Sequence, residues 1–145
     1  PDKESERLVM RQNTSNIKLK VNNPIIDPKA ILDVQSIIND IYVDSKVEDY
    51  VLNLIFATRD PKLNGLDDLE DIIDFGASPR ATINLIKAAK ARAFIEKRAY
   101  ITPEDIRYIG KDILRHRVIL TYEAEAEELT SDNVIDRLFE SIEVP

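Results

Sequence analysis

Cysteine is absent from this 145-residue sequence, which removes disulfide staples and thiolate metal ligands together. That absence suits a reducing compartment, and the cytoplasm is the expected location. A single histidine, His116, leaves too few ligands for a zinc site and no basis for a histidine-driven nucleophilic relay. Glycine occurs three times, and Gly65, Gly76 and Gly110 are followed five positions on by Glu70, Ala81 and Arg115. A phosphate-cradling loop needs a second glycine at that distance, then lysine and serine or threonine, so no P-loop is present. Nor does any hydrophobic strand end in Asp-Glu to hold magnesium and polarise water. The longest stretch without a charge, Tyr50 to Thr58, contains Asn53 and falls far short of the ~20 apolar residues of a membrane span. The first residues, Pro1-Asp2-Lys3-Glu4, lack the basic and apolar regions of a signal peptide and do not begin with methionine, so the chain reads as a piece cut from a longer polypeptide. No catalytic site is complete within it.

What is present is an ordinary globular balance, 43% apolar and 32% charged, enough for one domain that buries roughly 70% of its unfolded surface. With so little glycine, helix is favoured. The net charge of −7 is unevenly placed: residues 1–118 carry 19 basic and 19 acidic side chains, whereas residues 119–145 hold one arginine against eight acids. Residues 79–118 are locally basic, with ten bases and four acids, a region able to meet phosphate although the whole chain would repel a nucleic-acid backbone.

Helix signals recur along the chain. Asp27-Pro28 reads as a cap and first helical residue, followed by Ile31, Val34, Ile38 and Ile41 at helical spacing, which predicts one buried face. A second helix starts near Asp44, carries Val47, Leu54, Ile55 and Thr58 on one side, ends at Arg59-Asp60-Pro61 and is expected to pack on the first. Residues 61–76 read as a loop with one or two helical turns. Ser78-Pro79 opens an alanine-rich helix to Arg98. Thr102-Pro103-Glu104-Asp105 caps another to Arg117, and Ser131 or Asp132 caps a last one bearing Ile135, Leu138, Phe139 and Ile142. Residues 3–12 suit a further short helix, and Ile17, Leu19 and Val21 alternate as in a half-buried strand. The fold expected is all-α, a compact helical bundle with room for one very short β contact between Tyr42-Val43 and Tyr100-Ile101.

Candidate site residues are few. His116, in Leu114-Arg115-His116-Arg117, reads as part of a cationic helix end that favours the carbonyl pole of the dipole. The clusters Asp67-Asp68-Glu70-Asp71 and Glu123-Glu125-Glu127-Glu128 lack calcium-loop spacing and read as solvated acidic surface; no metal site is expected. Arg80 breaks a local rule, because the second position of a helix disfavours cations and attracts anions. Two readings stay open from spacing alone: a phosphate received jointly by the guanidinium and the helix end, or a tolerated surface arginine.

Gly76-Ala77-Ser78-Pro79-Arg80-Ala81 resembles the sensor 2 motif in the C-terminal helical lid of MoxR-family AAA+ ATPases. Val43 through Val47, Asp49-Tyr50 to Ala57-Thr58-Arg59, Ala88-Ala89 with Ala91-Arg92-Ala93, Tyr100 through Ile106, and Ile113 to Arg117 agree with that family in order and spacing. The resemblance implies that residues 1–23 are the end of an ATPase core and a linker, that residues 24–122 are the lid, and that residues 123–145 are an acidic helical tail packing on it. It further implies that Arg80 approaches the terminal phosphates of ATP as the nucleotide-binding residue, with ATP and Mg bound mainly by the core upstream and no cofactor expected on this piece alone. Implied partners are that core, neighbouring subunits of a ring oligomer and an unidentified protein client of chaperone-like remodelling, with no nucleic acid and no membrane span. The competing expectation is a stand-alone helical protein-interaction module without a nucleotide role. A DNA-binding domain ranks third, disfavoured by the acidic tail and the lack of a short recognition turn.

Overall fold

A computed structural model describes residues 2–14 and 25–145. It divides into two compact units, residues 1–31 and 32–145. The alternation at Ile17, Leu19 and Val21 lies outside the described residues. Seven α-helices are described: α1 (Lys3–Thr14), α2 (Pro28–Asn39), α3 (Ser45–Arg59), α4 (Pro79–Ile95), α5 (Pro103–Leu114), α6 (Tyr122–Ala126) and α7 (Ser131–Ser141). Between α3 and α4, Lys62–Asn64 and Asp67–Leu69 each make a single 3₁₀ turn. No described helix is long and apolar enough to cross a membrane.

The helix starts follow local chemistry. Asp27 accepts the Lys29 N–H at 2.9 Å before α2, Asp44 accepts the Lys46 N–H at 2.9 Å before α3, and Asp105 accepts the Thr102 N–H at 2.9 Å at the head of α5. Thr130, rather than Ser131 or Asp132, caps α7, exchanging bonds with Asn133 in a capping box. Two helices end earlier than their spacing predicts. Helix α4 stops at Ile95, where Lys97 turns left-handed at φ 59° and Arg98 N–H returns to the Ala93 carbonyl at 2.8 Å; α5 stops at Leu114, short of His116 and Arg117.

The core lies among α3, α4, α5 and α7. Helix α4 buries Ala81, Leu85, Ala89 and Ala93, a stripe four residues apart whose small members let α5 approach closely. The face expected of α2 is covered only in part: Ile31 is 50% exposed, Val34 and Ile38 are half-buried, and Ile41, just past the end of the helix, is buried. The expected packing of α2 on α3 is not a principal one, as α3 lies chiefly against α4, the Lys62–Asn64 turn, α7 and the Ile73–Phe75 segment. Helical spacing reports that a face is apolar; it carries no information about what covers that face.

Tyr42 and Tyr100 form the expected isolated bridge, with Tyr42 N–H donating to the Ala99 carbonyl at 2.9 Å and Ile101 N–H to the Tyr42 carbonyl at 3.1 Å. A second contact was not anticipated: β1 (Ile73–Phe75) pairs antiparallel with β2 (Ile119–Leu120), Ile73 opposite Leu120 and Phe75 opposite Ile119, with an irregularity between them. This pair fixes the segment that leads into α4.

Candidate functional site

Arg80 is the second residue of α4, and the route to it starts at the end of α3. Thr58 is 1% exposed; its hydroxyl donates to the Ile55 carbonyl at 2.7 Å and accepts the Ala77 N–H at 2.9 Å. The adjacent Arg59 Nε donates to the Ala77 carbonyl at 2.6 Å, so both polar groups of one peptide residue are held from the last turn of α3. The Arg59 guanidinium also lies 5.2 Å from the Phe56 ring centre. A Cβ on Gly76 would collide with the Thr58 carbonyl oxygen and stand 2.8 Å from Arg59 Cα, so only glycine permits this approach. Ser78 then extends (φ −77°, ψ 167°), and Pro79 supplies a pre-set first helical residue.

Ser78 occupies the capping position without capping: its side chain makes no bond to the helix start, and the first turn contains no acidic residue. The positive end of α4 is thus neither capped by a side chain nor neutralised by a carboxylate. Arg80 stands in this first turn, exposed, and among the described residues it meets no hydrogen-bond, ion-pair or ring partner. By contrast, Arg59, Arg92, Arg98, Arg107, Arg115 and Arg137 are each held by an oxygen or an aromatic ring.

Four of the ten bases of residues 79–118 are engaged in ion pairs. Arg92 Nε lies 3.0 Å and Arg98 Nη2 2.6 Å from Asp105 Oδ1, Lys111 pairs with Asp136 at 2.7 Å, and Arg115 with Asp132 at 2.6 Å. These four bases tie α5 to the end of α4 and to α7. Burial alone would raise the Asp105 carboxyl, but hydrogen bonds from Arg98 and Thr102 outweigh it and hold the group below the usual carboxylate range. The acidic stretch near Asp67 is similarly engaged: Asp68 pairs with Arg137 at 3.0 Å and Glu70 with Lys62 at 2.9 Å. His116 is exposed just past α5 and is not brought near Arg80's helix start by any contact described.

Sequence reasoning singled out Arg80 but not Thr58 and Arg59, whose side chains hold the segment leading to it. A threonine on the buried side of a helix resembles any small core residue, and its hydroxyl partner lies nineteen positions on at Ala77.

The AAA lid domain family matches residues 68–138. The chaperone MoxR1 of Mycobacterium tuberculosis is 35% identical over 100% of this chain and 38% of its own length, and the protein MoxR of Methylorubrum extorquens is 30% identical over 92% of the chain and 40% of its own. A solved structure from Cytophaga hutchinsonii, described as a candidate ATPase, superposes with a TM-score of 0.83 at 40% identity, covering 99% of this chain and 44% of that one. The chain thus spans about two-fifths of the length of these curated relatives.

Proposed function

We propose, from the premise that this chain belongs to the AAA lid domain family in its MoxR-type form, that it closes over the nucleotide site of a longer ATPase and presents Arg80 to the terminal phosphates of ATP. One observation carries this reading: an exposed, unpartnered guanidinium beside an uncapped helix start, on a chain whose other arginines are mostly engaged. A phosphate oxygen would meet forked donors and a favourable dipole together. The residues here fit the anionic end of a nucleotide only. On this reading ATP and Mg would be held mainly by a core upstream. That core would supply the phosphoryl-transfer chemistry, and this chain would add positive charge as the lid closes.

On the same reading, residues 1–23 belong to the core's end and a linker, 24–122 to the lid and 123–145 to a tail. Neighbouring subunits of a ring and a protein client are the corresponding partners, the chaperone role resting on the name of the mycobacterial relative. The interaction-module reading draws on a different feature, an open apolar groove of 660 Å³ lined by Ile37, Ile41, Phe94 and Ile95. A docking groove is compatible with both readings; Arg80 separates them.

In the full-length protein, Arg80→Ala is expected to slow ATP hydrolysis by on the order of 10² to 10³ with melting temperature and assembly unchanged. Arg80→Lys should recover only part, since an ammonium keeps the charge but not the planar fork. Wild-type turnover in Arg80→Ala with assembly intact would leave Arg80 a surface residue.

A further inference from the structure

The start of α4 is held by two side chains that the reading above does not use. The Thr58 hydroxyl receives the Ala77 N–H and Arg59 Nε donates to the Ala77 carbonyl, at 2.9 and 2.6 Å. Ala77 is fully buried, Ser78 and Pro79 follow it in fixed backbone conformations, and Arg80 comes next. Only Ser78 and Pro79 separate the clamped Ala77 from Arg80, and Pro79 removes the rotation about its own N–Cα bond that would otherwise blur the connection. Gly76 meanwhile lies against the Thr58 carbonyl, so the incoming strand has no room to slide along α3. Thr58 needs its hydroxyl for this: it is the buried side chain whose oxygen joins the Ile55 carbonyl inside α3 to the Ala77 amide outside it. Valine there would fill the same volume while leaving a buried N–H without a partner.

We infer that Thr58 and Arg59 are positioning residues for Arg80, fixing the place and direction from which α4 offers it to an anion. The inference rests on the phosphate reading of Arg80, and it adds the device that makes a single exposed arginine directional. A flexible mount would leave the guanidinium sampling many positions, each misplacement of about 1 Å costing up to ~10²-fold in rate.

Two measurements test it separately from the phosphate reading. Amide hydrogen exchange on the 145-residue chain reads the mount itself. Thr58→Val should speed exchange at Ala77 and the first turn of α4 by about fivefold to tenfold, Thr58→Ser should leave it near wild type, and Arg59→Met should give a smaller increase from the exposed side. Arg59→Met also serves if Thr58→Val fails to fold. The second measurement is ATP turnover by the full-length protein in a double-mutant cycle. Acting through Arg80, Thr58→Val and Arg59→Met should each lower kcat about fivefold or more in the wild-type background, with little change in KM, and should have no further effect on Arg80→Ala. Equal losses in both backgrounds would show that these residues act elsewhere and overturn the inference, as would unchanged exchange in Thr58→Val and Arg59→Met. If exchange rises as expected while Arg80→Ala turns over normally, the mount is supported and the phosphate reading is what fails.

Discussion

Asp105→Asn is the most informative single change to the lid's scaffold. The carboxylate is 1% exposed and accepts from Arg92 Nε at 3.0 Å, Arg98 Nη1 at 2.8 Å, Arg98 Nη2 at 2.6 Å and the Thr102 N–H at 2.9 Å. Asparagine keeps the shape and one acceptor oxygen, but removes the charge and turns the other oxygen into a donor facing guanidinium. Breaking a fully buried pair costs about 3–5 kcal/mol. Here Arg92 and Arg98 keep 24% and 26% of their side-chain surface and can partly rehydrate, so the expected loss is about 2–4 kcal/mol. Urea unfolding at pH 7 measures it, and thermal melting should show a drop of roughly 6–15 °C. The pH dependence has a definite sign. The folded carboxyl titrates below its ordinary value, so its contribution is complete above about pH 4 and disappears as pH falls through the depressed folded value. The wild-type advantage over Asp105→Asn should be flat from about pH 7 to 5 and shrink in more acid solution. A loss under about 1 kcal/mol at pH 7, or an advantage that persists undiminished in acid, would show that the triad is not what joins α4 to α5.

Two further substitutions probe packing and backbone. Gly110→Ala gains up to about 1 kcal/mol of helix propensity, but its Cβ would strike the Phe139 ring where α7 crosses α5; a net destabilisation of about 1–3 kcal/mol is expected in urea unfolding. Lys97→Gly relieves a left-handed residue at φ 59° just past α4 and should stabilise the chain by up to about 1 kcal/mol, read as a higher melting temperature.

How much was legible in the sequence follows the distance over which each cause acts. The caps at Asp27, Asp44 and Thr102 each involve residues two or three positions apart, and all three helix starts were readable. The start of α4 was readable because Ser78-Pro79 is a favoured helix opening, and Arg80 drew attention because a cation in the first turn goes against the helix dipole. The β1–β2 pair was not, since its strands contain three and two residues, too few for an alternating pattern, and it joins Ile73 to Leu120. The Asp105 triad hid for a similar reason. Arg92 and Arg98 stand six apart, the latter beyond the end of α4, and nothing local marks Asp105 as buried rather than a surface cap. The apolar stripe opened by α2 was read correctly as a stripe, but its burial runs from exposed at Ile31 through half-buried at Val34 and Ile38 to buried at Ile41, because the partner of a face is a tertiary fact.

If Arg80 meets a phosphate, these attachments would spread its effect over the helices around α4. Helix α4 is held at its start by Thr58 and Arg59 from α3, along its length by the alanine stripe against α5, and at its far end by Arg92 and Arg98 on Asp105. A helix free at either end would answer a pull on Arg80 by fraying or pivoting, losing the displacement within a turn. With both ends tied to different helices, the cheapest response is for α3, α4 and α5 to move together, since each tie would have to break before α4 moved alone. On the phosphate reading, gain or loss of the terminal phosphate therefore acts on the bundle as one body. The surface beside Phe94 and Ile95 would travel with it. A change at one oxygen could then alter which surface a neighbouring subunit or client meets, without any rearrangement inside the lid.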